Sequence, residues 1–423
     1  MSKPTFNINR LRKLLDGINA FGHNAATGGH NRMSFSKADM AARRWLAQEM
    51  KADGLTVHSD SAGNVFGRYG PQQGPCVMVG SHLDTVPEGG AFDGALGVAV
   101  GLECVRAMRD AGVQPAIAIE VVATSEEEGR FGGMLGSQAM AGLITREWLE
   151  SAADANGVKL TDAMHAQGLN PEAVFTAARP SGSVIAFLEL HIEQGPVLEA
   201  ENVPIGIANA VSGVGVLAVR LEGKANHSGT TPMHLRADAF AGLAEVACAI
   251  PDIIQETGTE QSRITIGQVD VQPNFPHTIP GIAEFSVVLR DTDEGVMRML
   301  DEQIRKRVAQ AAERHSLLMT IEIRSWLAPV ELDDRLAALL TEQASTIGLR
   351  TVSMPSGAGH DAQTMQALCP AGLVFVPSQG GVSHSTREST DWQDVQRGGR
   401  LMLATLVRIA AEPQHFKTGV GIQ

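Results

Sequence analysis

The chain has 423 residues, 43% hydrophobic and 19% charged, an ordinary globular composition that excludes wholesale disorder. Its 47 acidic against 34 basic residues leave a net charge of −13 and no basic patch or stripe, which excludes a binder that tracks nucleic-acid phosphates. No stretch approaches the roughly 18 continuous apolar residues of a membrane helix, and Cys76, Cys104, Cys248 and Cys369 are too scattered for a disulfide scaffold. The opening MSKPTFNINRLRKLL turns amphipathic and charged at once, unlike a signal peptide, so a cytoplasmic protein of two or three domains is expected.

Residues 8–51 read as two amphipathic helices. Leu11, Leu14, Leu15 and Ile18 recur at helical spacing, and Ser36 caps the run SKADMAARRWLAQEM. Buried strands and helices then alternate. CVMVGSHL from Cys76 is a strand, ALGVAVGLECVRAMRDAG from Ala95 a helix, and AIAIEVVAT from Ala116 the next strand. The polar, poorly periodic segment from Glu150 to Pro180 reads as an excursion over the surface. VIAFLELHI from Val184 is another strand. Near Ser212 the texture changes. The alternating run VGVLAVRLEGKA leads to a helix from Leu235 to about Ile254, strands RITIGQVDVQ and AEFSVVLRDT, a long helix from Glu294 to Ser316, and a strand around Ile321–Ile323. Beyond Glu331 the chain returns to helices and buried strands, ending with the strand GLVFVPS from Gly372. Continuous apolar strands joined by helices predict a mostly parallel α/β sheet covered on both faces. That domain occupies 1–212 and 329–423, interrupted by a smaller α+β insert at 213–328.

The chemistry collects where the buried strands end. His82 and Asp84 close one strand, with Asp93 following in the Gly-flanked loop PEGGAFDGALG. Glu126, Glu127 and Glu128 close the next, and His191, Glu193 and Gln194 a third. His384 stands on the loop VPSQGGVSHSTRE after the last strand. Ligand sites of open α/β sheets form outside the carboxyl ends of the strands, so the four clusters can converge. Imidazoles and carboxylates without a thiolate suit Zn²⁺, Mn²⁺ or Co²⁺. A carboxylate shared by two ions is the usual core of a two-metal hydrolytic site, and of two adjacent glutamates one can hold a metal while the other takes a proton from water. Each cluster alone has a plainer explanation: a hydrogen-bonded structural His, a solvated acidic helix start, a turn with a cap. Their joint occurrence at four strand ends favours the metal site.

These same stretches resemble the di-metal amidohydrolases of the M20 metallopeptidase superfamily, and within it the group of N-carbamoyl-L-amino-acid hydrolases, allantoate amidohydrolases and β-ureidopropionases. The likeness runs through FSKADMAARRWLAQEM, GSHLDTVPEGGAFDGALGV, EEEGRF, LELHIEQGPVLE, ANHSGTTPM, PNFPHTIPG, SGAGHDA and SHS. HIEQGPVLE, NHSGTTPM and SGAGHDA are specific to this group. The resemblance implies a discontinuous di-metal catalytic domain and a ferredoxin-like lid and dimerisation domain, hence a homodimer. It implies His82 and His191 on one divalent ion, Glu128 and His384 on the other, and Asp93 bridging the two. Glu127 takes the place of the general base, and Asp84 that of the carboxylate orienting His82. His227 matches the histidine that polarises the scissile carbonyl. Gln194, Asn274, His277, Arg290 and Gly359 fall at substrate-contacting positions, Arg290 as a carboxylate clamp. Glu126 has no implied role and is expected to be solvated, and for His360 a structural role is as acceptable as a contact. His277 departs from the group, which carries Asn there; imidazole is bulkier and can charge near neutral pH.

The activity implied is hydrolysis of the ureido group of an N-carbamoyl-L-amino acid, a small carboxylate-bearing substrate, to the amino acid, carbon dioxide and ammonia. Allantoate is the alternative substrate. An M20 aminoacylase or dipeptidase is disfavoured by HIEQGP and NHSGTTPM, and a non-catalytic binding homologue by the presence of every ligand and the base.

Overall fold

Four apolar runs form the centre of the largest sheet in the computed structural model, which describes residues 3–412; the ends of the two expected catalytic segments, 1–2 and 413–423, lie outside the described residues. The strands Ala118–Thr124, Cys76–His82, Val184–Ile192 and Ala371–Val376 lie side by side in that order, and each pairs parallel with its neighbour. Every residue of all four is buried, as expected where helices cover both faces. The helix Ala95–Asp110 buries nearly all of its length against them, so it carries no polar face. Outside this block the sheet is antiparallel: Val65–Tyr69 and Thr56–Ser59 extend one side, and Ile205–Val211 the other. These flanking strands were not legible as such.

Parallel pairing puts all four carboxyl ends on one edge. His82 stands opposite Thr124, and Phe375 and Val376 stand opposite His191 and Ile192. The Glu126–Glu128 and His384 segments continue from these ends, so the sheet itself delivers the four polar clusters to one rim.

The segment expected to wander over the surface is instead ordered, with helices Arg146–Ser151 and Leu160–Ala166 and a 3-10 turn Pro171–Ala177. Leu149, Leu160, Met164 and Val174 bury a satellite core with Phe35, Phe131 and Leu135. Each such side chain contributes about 1.5–3 kcal/mol. Helices of two turns or fewer present too few apolar positions to show a period, which is why the sequence looked irregular.

The chain divides into two compact units, Met1–Asn209 with Leu332–Gln423, and Ala210–Glu331, so the observed division lies three residues outside the 213–328 insert on each side. The second unit holds a four-stranded antiparallel sheet in the order Leu318–Leu327, Gly213–Glu222, Ile282–Asp291, Arg263–Gln272. With helices Ala239–Thr257 and Glu294–Arg314 it follows the strand–helix–strand–strand–helix–strand order of ferredoxin-like folds. The two long inner strands alternate buried and half-buried residues, the pattern of a sheet with one face on helices. Leu217, Val219, Phe285 and Leu289 form a core of their own with Leu243, Met297, Leu300 and Ile304. Among the described residues, no helix is long and apolar enough to cross a membrane.

Candidate metal centre

Asp93 is the hub of the rim. It sits in the loop before the Ala95–Asp110 helix, and its two carboxylate oxygens face different partners. Oδ1 lies 3.3 Å from His82 Nε2 and 3.2 Å from His191 Nε2. Oδ2 lies 3.3 Å from His384 Nε2, which in turn is 3.4 Å from Glu128 Oε2. Two donor groups share Asp93, His82–Asp93–His191 and Asp93–Glu128–His384, each with its ligand atoms within 4.8 Å of one another; a third, Glu189–His191–His360, shares only His191 with them. Glu127 belongs to none of these, but its Oε2 stands 3.5 Å from His82 Nε2. Gln194 donates from Nε2 to Asp93 Oδ2 at 2.8 Å.

The two buried imidazoles are oriented by main chain. His82 Nδ1 meets the Asp84 carbonyl at 3.0 Å, and His191 Nδ1 meets the Ile192 carbonyl at 2.9 Å. A carbonyl only accepts, so each Nδ1 carries a proton and each Nε2 is the ring nitrogen turned toward Asp93, that of His191 also meeting the Gly94 N–H at 3.2 Å. Two imidazole nitrogens and a carboxylate oxygen thus converge within 3.2–3.3 Å, a donor set that a cation can take. Glu128 Oε1 is likewise buried without a donor. The donor set therefore fits divalent metal, and the all-N,O chemistry fits the borderline-to-hard class.

This geometry corrects the expectation for Asp84. Its carboxylate is 3.9 Å from His82 Nδ1, and the orienting contact comes from its backbone carbonyl instead. The side chain accepts from Ser34 Oγ at 2.7 Å and from the Glu128 N–H at 3.1 Å, so it fixes the glutamate segment. Glu126, expected in solvent, is fully buried at φ +57°. Its carboxylate accepts the N–H groups of Phe131 and Gly133, folding the Gly-rich loop back, and burial pushes it up to about 8. An acidic triplet resembles a helix start in sequence, but here the chain turns before any helix begins. Glu193 also points away from the rim, capping the Val197 and Leu198 N–H groups.

The rim carboxylates are held far from their usual behaviour. Burial, then the charge of Asp93, raises Glu128 to about 7, and burial together with Glu128, Asp361 and Asp93 raises Glu127 well above the carboxylate range against the pull of His82. Burial opposes charge on His82 too, but Glu127, Asp93 and Asp84 outweigh it and hold the imidazole well above its ordinary value. The hydrogen bond to Asp93 lifts the half-exposed His384 to about 9. This is the signature of a site with too many anions for its own cations.

Gly94 closes the loop at φ +62°, and a Cβ there would stand 2.4 Å from the His82 ring. Gly94→Ala is therefore expected to displace His82 and cut kcat/KM by on the order of 100-fold, given that misplacing a reacting group by about 1 Å is enough. Steady-state kinetics beside a metal titration check it; wild-type values for both would contradict the packing argument.

The other expected site residues divide between the two units. Gly359 stands in the loop before the helix Asp361–Met365, where a Cβ would meet Met134. His360 is buried, with Nε2 3.0 Å from Ser356 Oγ and its ring edge-on to His191 at 4.6 Å. His227, Asn274, His277 and Arg290 belong to the second unit. There His227 is exposed and accepts the Gly229 N–H on Nδ1, while the His277 carbonyl takes the Ser228 N–H. Asn274 holds φ +52°, and Arg290 is half-buried on the inner strand Ile282–Asp291.

Sequence reasoning passed over Glu189, Asp361 and Glu388. Glu189 accepts from Ser81 Oγ and the Ala362 N–H beneath the rim, and Asp361 accepts from Thr124 Oγ1. A charged residue inside the apolar run VIAFLELHI was the signal available for Glu189.

Comparison with known proteins identifies the family. The profile of peptidase family M20/M25/M40 matches residues 78–408. An N-carbamoyl-L-amino acid amidohydrolase of Geobacillus stearothermophilus is 39% identical over 91% of this chain and 94% of its own. An allantoate amidohydrolase of Bacillus subtilis is 34% identical over 91% and 94%. The crystal structure of a hydantoinase/carbamoylase family amidase from Burkholderia multivorans superposes with a TM-score of 0.89, at 32% identity, covering 97% of this chain and 99% of that one. The chain belongs to peptidase family M20/M25/M40.

Proposed function

We propose that this protein is a metal-dependent amidohydrolase that cleaves the ureido C–N bond of N-carbamoyl-L-amino acids, releasing amino acid, carbon dioxide and ammonia. The observation that carries the metal-dependent chemistry is the two-sided engagement of Asp93 by His82 and His191 on one oxygen and by His384 on the other, with Glu128 beside it and Glu127 outside both groups. The substrate class follows the amidohydrolases that this chain resembles over more than nine-tenths of its length.

His82, His191 and Asp93 would hold one divalent ion and Asp93, Glu128 and His384 a second, Zn²⁺, Mn²⁺ or Co²⁺, which would supply Lewis acidity to the site. Glu127 takes the proton from that water and returns it to the leaving nitrogen. His227 polarises the carbonyl, while Gln194, Asn274, His277 and Gly359 contact the substrate. The 210–331 unit acts as lid and as the dimerisation element of a homodimer.

Arg290 binds the substrate carboxylate through its planar fork. Arg290→Lys keeps the charge and loses the fork, so KM should rise and kcat/KM fall at least about 10-fold. The uncharged N-carbamoyl amides should be poor wild-type substrates and be discriminated against far less by the variant. Equal wild-type rates on acid and amide would remove Arg290 from this role.

The test of the function is a panel of N-carbamoyl-L-amino acids, allantoate and N-carbamoyl-β-alanine, read as ammonia released by the metal-loaded protein. Highest kcat/KM on an N-carbamoyl-L-amino acid is expected. Turnover of allantoate alone would transfer the substrate assignment to the ureide, and two bound ions with no turnover of any ureido compound would make the chain a binding homologue.

A further inference from the structure

Glu388 is a buried carboxylate, 7% exposed, to which the roles above assign nothing. Its Oε1 accepts the backbone N–H groups of Phe92 at 2.9 Å and Asp93 at 3.0 Å, 296 and 295 residues away in sequence. Its Oε2 accepts the Ser383 hydroxyl at 2.9 Å, the residue directly before His384. Ser383 Oγ is also 3.2 Å from Asp93 Oδ2 and 3.2 Å from Gln194 Nε2. The Asp93 loop wraps this carboxyl tightly: a Cβ on Gly90 would stand 2.1 Å from Glu388 Cδ. One side chain thus holds the main chain of the bridging carboxylate and the loop of a second ligand.

We infer that Glu388 is a positioning residue that sets the aim of Asp93 and the reach of His384 together, acting through the Phe92 and Asp93 N–H groups on one oxygen and Ser383 on the other. The inference rests on the metal-dependent function proposed above. Its physical basis is the unfavourable placement of a second anion behind Asp93. An unpaired carboxylate buried there would be strongly destabilising, and three hydrogen bonds to it offset that cost. Those bonds fix directions: the two N–H groups lie at the turn that launches Asp93, so losing their acceptor lets the turn rotate. The donor group Asp93–Glu128–His384 contains both ends of the link, whereas His82 and His191 keep their own main-chain anchors.

The experiment is calorimetric titration of the metal-free, full-length protein with MnCl₂, together with the Tm of each metal-free variant. Wild type should show two binding events. Glu388→Ala should weaken one of them by about 10–100-fold, the range for groups that orient metal ligands, and the other, which meets the link through Asp93 alone, distinctly less. Glu388→Gln keeps an oxygen for both N–H groups and turns an amide N–H toward Ser383 Oγ, so it should restore the weakened event to within about threefold of wild type. Ser383→Ala cuts one end of the link and should weaken the same event about tenfold; it decides the matter if Glu388→Ala does not fold. The inference is overturned if Ser383→Ala or a folded Glu388→Ala binds both ions as wild type does. It is also overturned if both events weaken equally with a lowered metal-free Tm, the result for a brace of the fold alone. A wild type that binds no Mn²⁺ overturns the metal-centre assignment itself, a separate outcome from either of these.

Discussion

Glu127→Gln is expected to lower kcat by about 10²–10⁴-fold, about 3–5 kcal/mol of activation free energy, while the protein keeps both ions. The separation of effects follows from where two adjacent carboxylates point. Glu127 stands beside His82 Nε2 without joining either donor group, whereas Glu128 completes the group with Asp93 and His384. Gln has the shape of Glu127 and cannot accept a proton at neutral pH, so only the proton transfer is lost. Glu128→Gln should behave differently, removing an anionic ligand and weakening one ion. Elemental analysis of the two purified variants, beside kcat, checks this. Metal loss from Glu127→Gln with retention in Glu128→Gln would exchange the two assignments.

Asp93→Asn is expected to be more severe, with kcat/KM down by on the order of 10³-fold or more, about 4 kcal/mol. The carboxylate is the one group common to both donor sets. An amide removes the charge and leaves one acceptor oxygen where the carboxylate offers two. The same swap takes away the anion that His82, His191 and His384 face. The variant without metal should melt at or below the wild-type temperature, while the rise in Tm that Mn²⁺ gives the wild type should disappear. Thermal melts with and without MnCl₂ check both halves. A wild-type gain in Tm from the ion in Asp93→Asn would show that the carboxylate does not bridge.

The parallel block was legible because it is continuous: CVMVGSHL, AIAIEVVAT, VIAFLELHI and GLVFVPS are unbroken apolar runs, and full burial demands that. Polar residues at their ends therefore stood out, and the rim residues His82, Asp93, Glu127, Glu128, His191 and His384 come together in space. The flanking strands Thr56–Ser59 and Val65–Tyr69, four and five residues long, are too short to display an alternation. The contact that orients His82 was not legible either, because it comes from a backbone carbonyl whose direction depends on the turn and not on the identity of Asp84. Glu126 misled for a related reason: three consecutive acids look solvated until a positive φ turns the first of them inward. Glu388 stood in the quoted stretch VPSQGGVSHSTRE, but its partners Phe92 and Asp93 are nearly 300 residues away, beyond any local pattern.

The most direct measurement is ammonia released from an N-carbamoyl-L-amino acid by protein stripped with chelator and then reloaded with Mn²⁺, Co²⁺ or Zn²⁺. His82, Asp93, Glu128, His191 and His384 offer only nitrogen and oxygen, so stripping should abolish turnover and reloading with at least one of these ions should restore it. Full activity in protein shown by elemental analysis to be free of metal would contradict the account.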